Sequence, residues 1–274
     1  MKNYLNSLEK QEKTIGFVPT MGALHQGHMS LLERAKREND ISVASIFVNP
    51  LQFNDMKDLE KYPRSLELDI EKIKATHCDV LFAPSTEEMY PESRIQNQKS
   101  FIALGQLDKI MEGQQRPGHF QGVCVVVKKL FDIIEPTKAY FGEKDFQQLA
   151  IIRHLAKALN IPVEIISCPT VREANGLAMS SRNTLLTTEE RKKSAVIYKA
   201  LMEAKEKKDS IKIEALKKFV EEKINSNPFL KLEYFEVVNS ETLMPAQSQE
   251  ETKNLRACIA VKVGNVRLID NISF

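Results

Sequence analysis

"PTMGALHQGHMSLLERAK", residues 19–36, joins an apolar run, "TIGFVPT" (14–20), to a stretch whose apolar residues recur at helical spacing. From His28 those positions continue at Leu31, Leu32 and Ala35, so His28 heads the stripe that a helix lays on a sheet, and His25 precedes it by one turn. Gly22 serves the turn between strand and helix, and Gly27 lets a ligand approach the backbone with no Cβ in the way. A strand feeding a helix through such a loop is the unit of an open parallel sheet, which places its ligands above the strand ends. Two imidazoles beside the unpaired N–H groups and the positive end of a helix suit phosphate. Two other readings stay open. Both histidines can be capping or core residues, or they can share a metal ion, although no HExxH pattern and no third ligand of clear spacing accompanies them.

The same texture continues outward. "ISVASIFVNP" (41–50), "CDVLFAP" (78–84), "KAYFG" (138–142) and "VEIISCPTV" (163–171) are apolar without strict alternation, as strands buried on both faces are. Between them lie helical patterns such as "RSLELDIEKIKATH" (64–77) and "FQQLAIIRHLAKALN" (146–160). The expected fold is α/β, a Rossmann-like doubly wound parallel sheet. After "GLAMSSRNTLLTTEER" (176–191) the pattern changes. Thr187 and Glu190 form a capping-box pattern opening a Lys- and Glu-rich helical stretch to about Lys208, read as a solvated face, and a second helix spans about 211–225. "LEYFEVVN" (232–239) reads as a strand, and Gly264-Asn265 within "RACIAVKVGNVRLI" (256–269) as a hairpin turn. These observations divide the chain into a ligand-binding domain, 1–174, and a smaller C-terminal α+β domain, 175–274, expected to act as a lid.

Composition excludes several classes of function. The 274 residues are 42% hydrophobic and 28% charged with a net charge of +2, which gives no electrostatic footprint for nucleic acid or an anionic membrane. No leader-like apolar core opens the chain and no stretch is apolar long enough to span a bilayer, so a cytoplasmic protein is expected. Cys78, Cys124, Cys168 and Cys258 are far apart with no CxxC pairing, and buried reduced thiols are the expectation.

Two further stretches offer chemistry. In "FGEKDFQQL" (141–149), Lys144, Gln148, Ile152, Leu155 and Leu159 fall on one helical face, placing a lysine where charge on a phosphate would need neutralising. Asp145 beside it reads either as a cap or as a ribose or metal contact. In "FVNPLQF" (47–53), Asn49-Pro50 turns the chain so that Gln52 stands at the same sheet edge, with Phe53 either walling a ligand or in the core. Gln52 and Gln148 are neutral donors and acceptors, read either as ligand contacts at the sheet edge or as surface residues.

"HQGH" (25–28) resembles the HxGH signature of the nucleotidylyltransferase and class I aminoacyl-tRNA synthetase superfamily. The fuller set, "PTMGALHQGH", "FVNPLQF", "RPGHFQGV" (116–123), "FGEKDFQQL" and "GLAMSSRN" (176–183), is similar in order and spacing to the pantothenate synthetase (pantoate–β-alanine ligase) family. The resemblance implies ATP-dependent condensation of pantoate with β-alanine through a pantoyl adenylate. It implies catalytic roles for His25, His28, Lys144 and Arg182, and a wider ATP-binding set of Met21, Gly22, Ala23, Leu24, Gln26, Gly27, Gly142, Glu143, Asp145, Val171, Met179, Ser180 and Ser181. Gln52 and Gln148 would hold pantoate, Gly176 would let the Ser180–Arg182 loop move, and magnesium would accompany ATP. Asp69 is a metal contact by family position, against the plainer reading of a solvated helical carboxylate. A homodimer is implied, with "ISVASIFV" as a possible edge or interface strand. The chain departs from the family pattern at Val125, where a hydroxyl residue is common, and at Asn175, where Asp is common. The competing expectations are a nucleotidylyltransferase that uses the same loop on another acceptor, and a nucleotide-binding protein without turnover.

Overall fold

The structure is a computed structural model and describes residues 1–7, 13–91, 102–246 and 254–274; part of the N-terminal stretch read for a leader, 8–12, lies outside them. The chain divides into two units, one of 1–143 with 148–169 and one of 144–147 with 170–274. The division thus falls at Pro169/Thr170, five residues before the expected 174/175, and it assigns Lys144–Gln147 to the second unit although unit-one residues flank them.

The first unit holds five parallel strands, β1 (Ile15–Thr20), β2 (Ile41–Ile46), β3 (Val80–Phe82), β4 (Lys138–Gly142) and β5 (Glu164–Cys168), in the order β3-β2-β1-β4-β5. Ile15 lies opposite Ile41, Gly16 opposite Lys138, and Val43 opposite Val80. Both faces of this sheet are covered, which is why the strands read as unbroken apolar runs. Ile15 and Phe17 of β1, Val43 of β2 and Phe141 of β4 enter one core with Val123, Val127 and Phe131 of the helix His119–Ile134. Val18, Ala44 and Tyr140 point the other way, onto Leu32 and Ala35 of the helix Gln26–Glu38. The expectation of "ISVASIFV" as an edge strand is corrected, because β2 pairs with both β1 and β3. The helix His119–Ile134 is absent from the sequence reading: its consecutive buried residues 123–127 mask the period, although Gln121, Lys128 and Asp132 mark a polar side at helical spacing.

The second unit packs three antiparallel strands in the order β6-β7-β8, namely β6 (Leu230–Asn239), β7 (Leu255–Val263) and β8 (Val266–Ser273). The Gly264-Asn265 turn is present, with Gly264 at φ +56, the left-handed region glycine enters freely. Thr187 and Glu190 make the capping box, but the single helix expected behind it is two, Thr188–Lys193 and Ala195–Lys207. They part at buried Ser194, whose hydroxyl donates to Glu190 O at 2.7 Å. Ile197 and Leu201, with Leu216, Val220 and Ile224 of the helix Ile213–Asn225, close the core over Val237, Ile259 and Val261.

Candidate active site

The first unit presents its two opening motifs where β1 and β2 end. His25 is the N-cap of the helix Gln26–Glu38, with extended backbone at φ −136 and ψ 176. Its Nδ1 accepts from the Gly27 N–H at 3.2 Å, and the Nδ1 of His28 accepts from the His25 N–H at 3.2 Å. This is a capping box made of two imidazoles, whose ring centroids lie 4.0 Å apart. The capping reading is therefore correct for Nδ1. In a neutral ring that accepts at Nδ1 the proton sits on Nε2, so each cap fixes an Nε2–H donor, the polarity a phosphate oxygen requires.

The loop before the cap is held from outside. Gly22 (φ +79) and Ala23 (φ +49) both take left-handed backbone, a conformation that costs a residue with a side chain. Asp69 Oδ2 accepts from the Ala23 N–H and Oδ1 from the Leu24 N–H, each at 2.7 Å, while Lys72 Nζ donates to Leu24 O at 2.7 Å. Asp69 is 0% exposed, so the expectation of a solvated helical carboxylate is corrected. Its oxygens bind backbone donors, and it braces the loop instead of facing solvent.

Gln52 ends the 3₁₀ turn Pro50–Gln52, whose N-cap Asn49 accepts from the Leu51 N–H at 3.3 Å. The buried Gln52 amide donates to Met21 Sδ at 3.1 Å and accepts from Asn49 Nδ2 at 3.1 Å, which brings the β2 motif against the β1 motif. "RPGHFQGV" supplies the cradle. The Gln52 carbonyl accepts from His119 Nδ1 at 2.7 Å and from Arg116 Nη2 at 3.4 Å, and Gly122 O accepts from Asn49 Nδ2 at 3.0 Å. A Cβ on Gly122 would meet Leu51 O at 2.2 Å, so no other residue fits there. Tyr90 Oη donates to Asn49 Oδ1 at 2.8 Å, and burial raises this phenol well above its ordinary range. Sequence alone assigns no separate role to Arg116, His119 or Gly122; only their motif as a whole carries the resemblance. Phe53 stands edge-on to Tyr62 with centroids 5.7 Å apart.

Gly142 closes β4 opposite Cys168, and Glu143 opens the 3₁₀ turn Glu143–Asp145. The helix starts only at Phe146, so Lys144 does not lie on its face as expected; Gln148 does, half-buried, in line with buried Ile152 and Leu155. Lys144 Nζ stands 3.5 Å from Asp145 Oδ1 and its side chain is 17% exposed.

In the second unit, Met179 N–H donates to Val171 O at 3.0 Å and Arg172 bridges Ala178, folding 171–179 into a narrow loop. Gly176 turns that loop at φ +92, and a Cβ on it would strike Tyr198 Cδ1 at 2.6 Å. Its glycine serves a close turn. Asn175 Oδ1 accepts from the Leu177 N–H at 3.0 Å, and Val125 is buried in the first core. Ser180 caps the 3₁₀ turn Ser181–Leu185 by accepting from the Arg182 N–H at 3.2 Å, and Ser181 is buried. Asn183 Nδ2 ties this turn to Glu173 Oε1 (2.8 Å) and Ala178 O (3.1 Å). The expected set thus divides: Met21 to His28, Gln52, Asp69, Gly142, Glu143 and Gln148 in one unit, Lys144, Asp145, Val171, Met179 and Ser180 to Arg182 in the other. Burial pushes the Cys124 thiol up to about 12 and also raises Cys78 and Cys168, which leaves these thiols protonated and poor nucleophiles.

The sheet order and the histidine-capped helix at the end of β1 define a Rossmann-like α/β protein. A family model described as pantoate-beta-alanine ligase matches residues 1–273. Pantothenate synthetases of Flavobacterium psychrophilum and Azobacteroides pseudotrichonymphae are 51% and 50% identical over the whole chain and 96% and 97% of their own lengths. The crystal structure of pantothenate synthetase from Thermus thermophilus matches with a TM-score of 0.90 at 43% identity, covering 98% of this chain and 96% of that one. The pantoate–β-alanine ligase of Francisella tularensis, solved in complex with β,γ ATP and β-alanine, matches with a TM-score of 0.81 at 38% identity over 99% and 95% of the two chains. The chain belongs to the pantoate–β-alanine ligase family and is an enzyme, a ligase of pantothenate biosynthesis. No helix among the described residues is long and apolar enough to cross a membrane.

Proposed function

We propose that the chain condenses (R)-pantoate with β-alanine in two steps, through a pantoyl adenylate. The supporting observation is the paired imidazole cap at a helix N-terminus, reached by a loop whose Met21 Sδ accepts from the buried Gln52 amide. ATP is bound through Met21 to His28, Gly142 to Asp145, and Val171 with Met179 to Arg182. A pantoate carboxylate oxygen attacks the α-phosphorus of ATP, the bond to the bridging oxygen breaks, and pyrophosphate leaves. His25 and His28 donate hydrogen bonds to the phosphates. Lys144 and Arg182 offset the charge that builds on them in the transition state, where such help raises the rate. Gln52 and Gln148 orient pantoate. The β-alanine amine then attacks the acyl carbon and AMP leaves with the former bond electrons.

ATP enters as its magnesium complex, a substrate. Asp69 does not fit as a ligand to that ion, because its carboxylate is fully buried on two backbone donors, and the described residues hold no cluster of three His, Cys, Asp or Glu placed for a metal. No step is assigned to a protein-bound ion. A cytoplasmic homodimer, without nucleic-acid or membrane partners, belongs to the same reading.

The test is to incubate the protein with ATP, magnesium and pantoate, and to follow pyrophosphate before and after β-alanine is added. Pyrophosphate that depends on pantoate, with AMP and pantothenate appearing only after β-alanine, supports the two steps. Nucleotidylation of another acceptor, with pantoate inert, overturns the pantoate pocket.

A further inference from the structure

Lys144 lies in a 3₁₀ turn of three residues, too short to hold itself by its own ladder of hydrogen bonds. Its ammonium rides on a flexible four-carbon stem, so the place of the charge depends on where the backbone is pinned. The pin is on the last strand of the chain. Asn271 Nδ2 donates to Lys144 O at 2.9 Å, and Asn271 Oδ1 accepts from Arg256 Nη1 at 2.6 Å. The Arg256 guanidinium in turn lies over the ring of Phe146, 4.3 Å from its centroid. Asn271 is 4% exposed and stands opposite Cys258, two residues from Arg256, so both side chains occupy one face of the sheet. Lys144–Gln147 belong to the same unit as Arg256 and Asn271.

The neighbouring residue works on the other face. Asp270 takes Arg172 in a two-pronged pair at 2.6 and 2.9 Å, and the Arg172 guanidinium also covers Tyr198, 3.9 Å from the ring centroid. Arg172 starts the loop that leads to Ser180–Arg182. Two successive residues of β8 therefore hold the lysine turn on one side and the serine–arginine loop on the other.

We propose that Asn271, supported by Arg256, is a positioning residue that acts on the adenylation step through the backbone of Lys144. The proposal rests on the role given to Lys144 above. Asn271→Asp keeps the size of the side chain and its bond to Arg256, but removes the donor to Lys144 O. In the full-length protein it is expected to lower kcat for pantoate-dependent pyrophosphate release by about tenfold or more, because small misplacements of a charge-stabilising group are costly in rate. The KM for β-alanine stays close to the parent value; the melting temperature falls, because a buried carboxylate oxygen then opposes the Lys144 carbonyl, and rates are compared where both proteins are fully folded. Arg256→Gln, which leaves Asn271 in place, shifts kcat in the same direction by less, and serves if the first variant folds poorly. Combined with Lys144→Ala, Asn271→Asp has no further effect on the residual rate. A folded Asn271→Asp protein with parental kcat overturns the proposal, as does an equal loss in the Lys144→Ala background. If Lys144→Ala itself turns over normally, the role of Lys144 fails and the proposal with it; a dead Lys144→Ala beside an unaffected Asn271→Asp sinks the proposal alone.

Discussion

Replacing Asp69 by Asn separates a brace from an ion ligand. In the parent, two carboxylate oxygens accept from the Ala23 and Leu24 N–H groups at 2.7 Å in a site with no solvent exposure. A hydrogen bond to a charged group contributes about 1.5–3 kcal/mol. Asn keeps one acceptor, now neutral, and turns an NH₂ toward the second N–H, so one charged bond is lost, the other is weakened, and a buried donor is orphaned. The sum is a loss of about 2–4 kcal/mol, a large share of the roughly 5–15 kcal/mol that typical domains possess. Urea denaturation reads this as a lower midpoint with an unchanged slope. Because Ala23 is held at φ +49 by the same contact, the loop relaxes and the adenylation rate falls by up to about 10². Gly22→Ala should act alike, since its Cβ would sit 3.0 Å from Asp69 Oδ2 in a backbone at φ +79. An Asn variant within about 0.5 kcal/mol of the parent, impaired only in its magnesium requirement, would refute the brace and restore the metal contact.

Three other outcomes are expected. His28→Ala should cut turnover by about 10² to 10⁴ and, through loss of the cap, stability by about 1 kcal/mol; unchanged turnover at matched protein concentration would remove its role. With Cys124 pushed up to about 12 and Cys78 and Cys168 also raised, a thiol reagent at pH 8 should label the folded protein slowly and reach four thiols only on denaturation; rapid labelling of Cys124 contradicts its burial. Burial alone would raise Asp79, but Lys36 at 2.6 Å and the Ser42 hydroxyl and N–H hold it below the ordinary carboxylate range. A depressed carboxylate contributes stability above its unfolded value of about 3.9 and loses it as pH falls through the folded one, so the deficit of Asp79→Asn at neutral pH should begin to shrink near pH 4 and disappear only below the lower, folded value; a deficit independent of pH would exclude the ionic cause.

The sequence revealed what depends on local period and missed what depends on distant partners. β1, β2 and β4 were legible because neighbouring residues feed opposite cores, Phe17 one and Val18 the other, which leaves no polar alternation. The hairpin at Gly264 and the Thr187–Glu190 cap are chemical signals confined to a few residues. The helix Leu66–Ala75 misled because it inverts the usual pattern: Leu66 and Leu68 are 48% and 58% exposed while Asp69 is buried. Only a contact with residues some 45 positions earlier explains that, and no spacing rule within the helix contains it. The hold of Asn271 on Lys144 spans 127 positions and was equally invisible.

Histidine chemistry ties these levels together, because partners on the backbone decide which nitrogen carries each proton. His25 and His28 face N–H groups through Nδ1, and an N–H only donates, so Nδ1 is bare and the proton is on Nε2. His119 faces the opposite demand. Its Nδ1 meets the Gln52 carbonyl, which only accepts, and its Nε2 meets an Arg116 Nη1 at 3.2 Å, which only donates. The neutral ring with Nδ1–H is the single form that satisfies both. The same residue type thus caps a helix through a bare Nδ1 in one motif and clamps a backbone carbonyl through Nδ1–H in the next, and doubly protonated rings would break all three arrangements. Nitrogen-15 correlation spectra of the imidazoles should show two Nε2–H rings that shift on addition of ATP and one Nδ1–H ring that disappears in His119→Ala. Finding His119 with its proton on Nε2 would mean that Gln52 is held by some other contact.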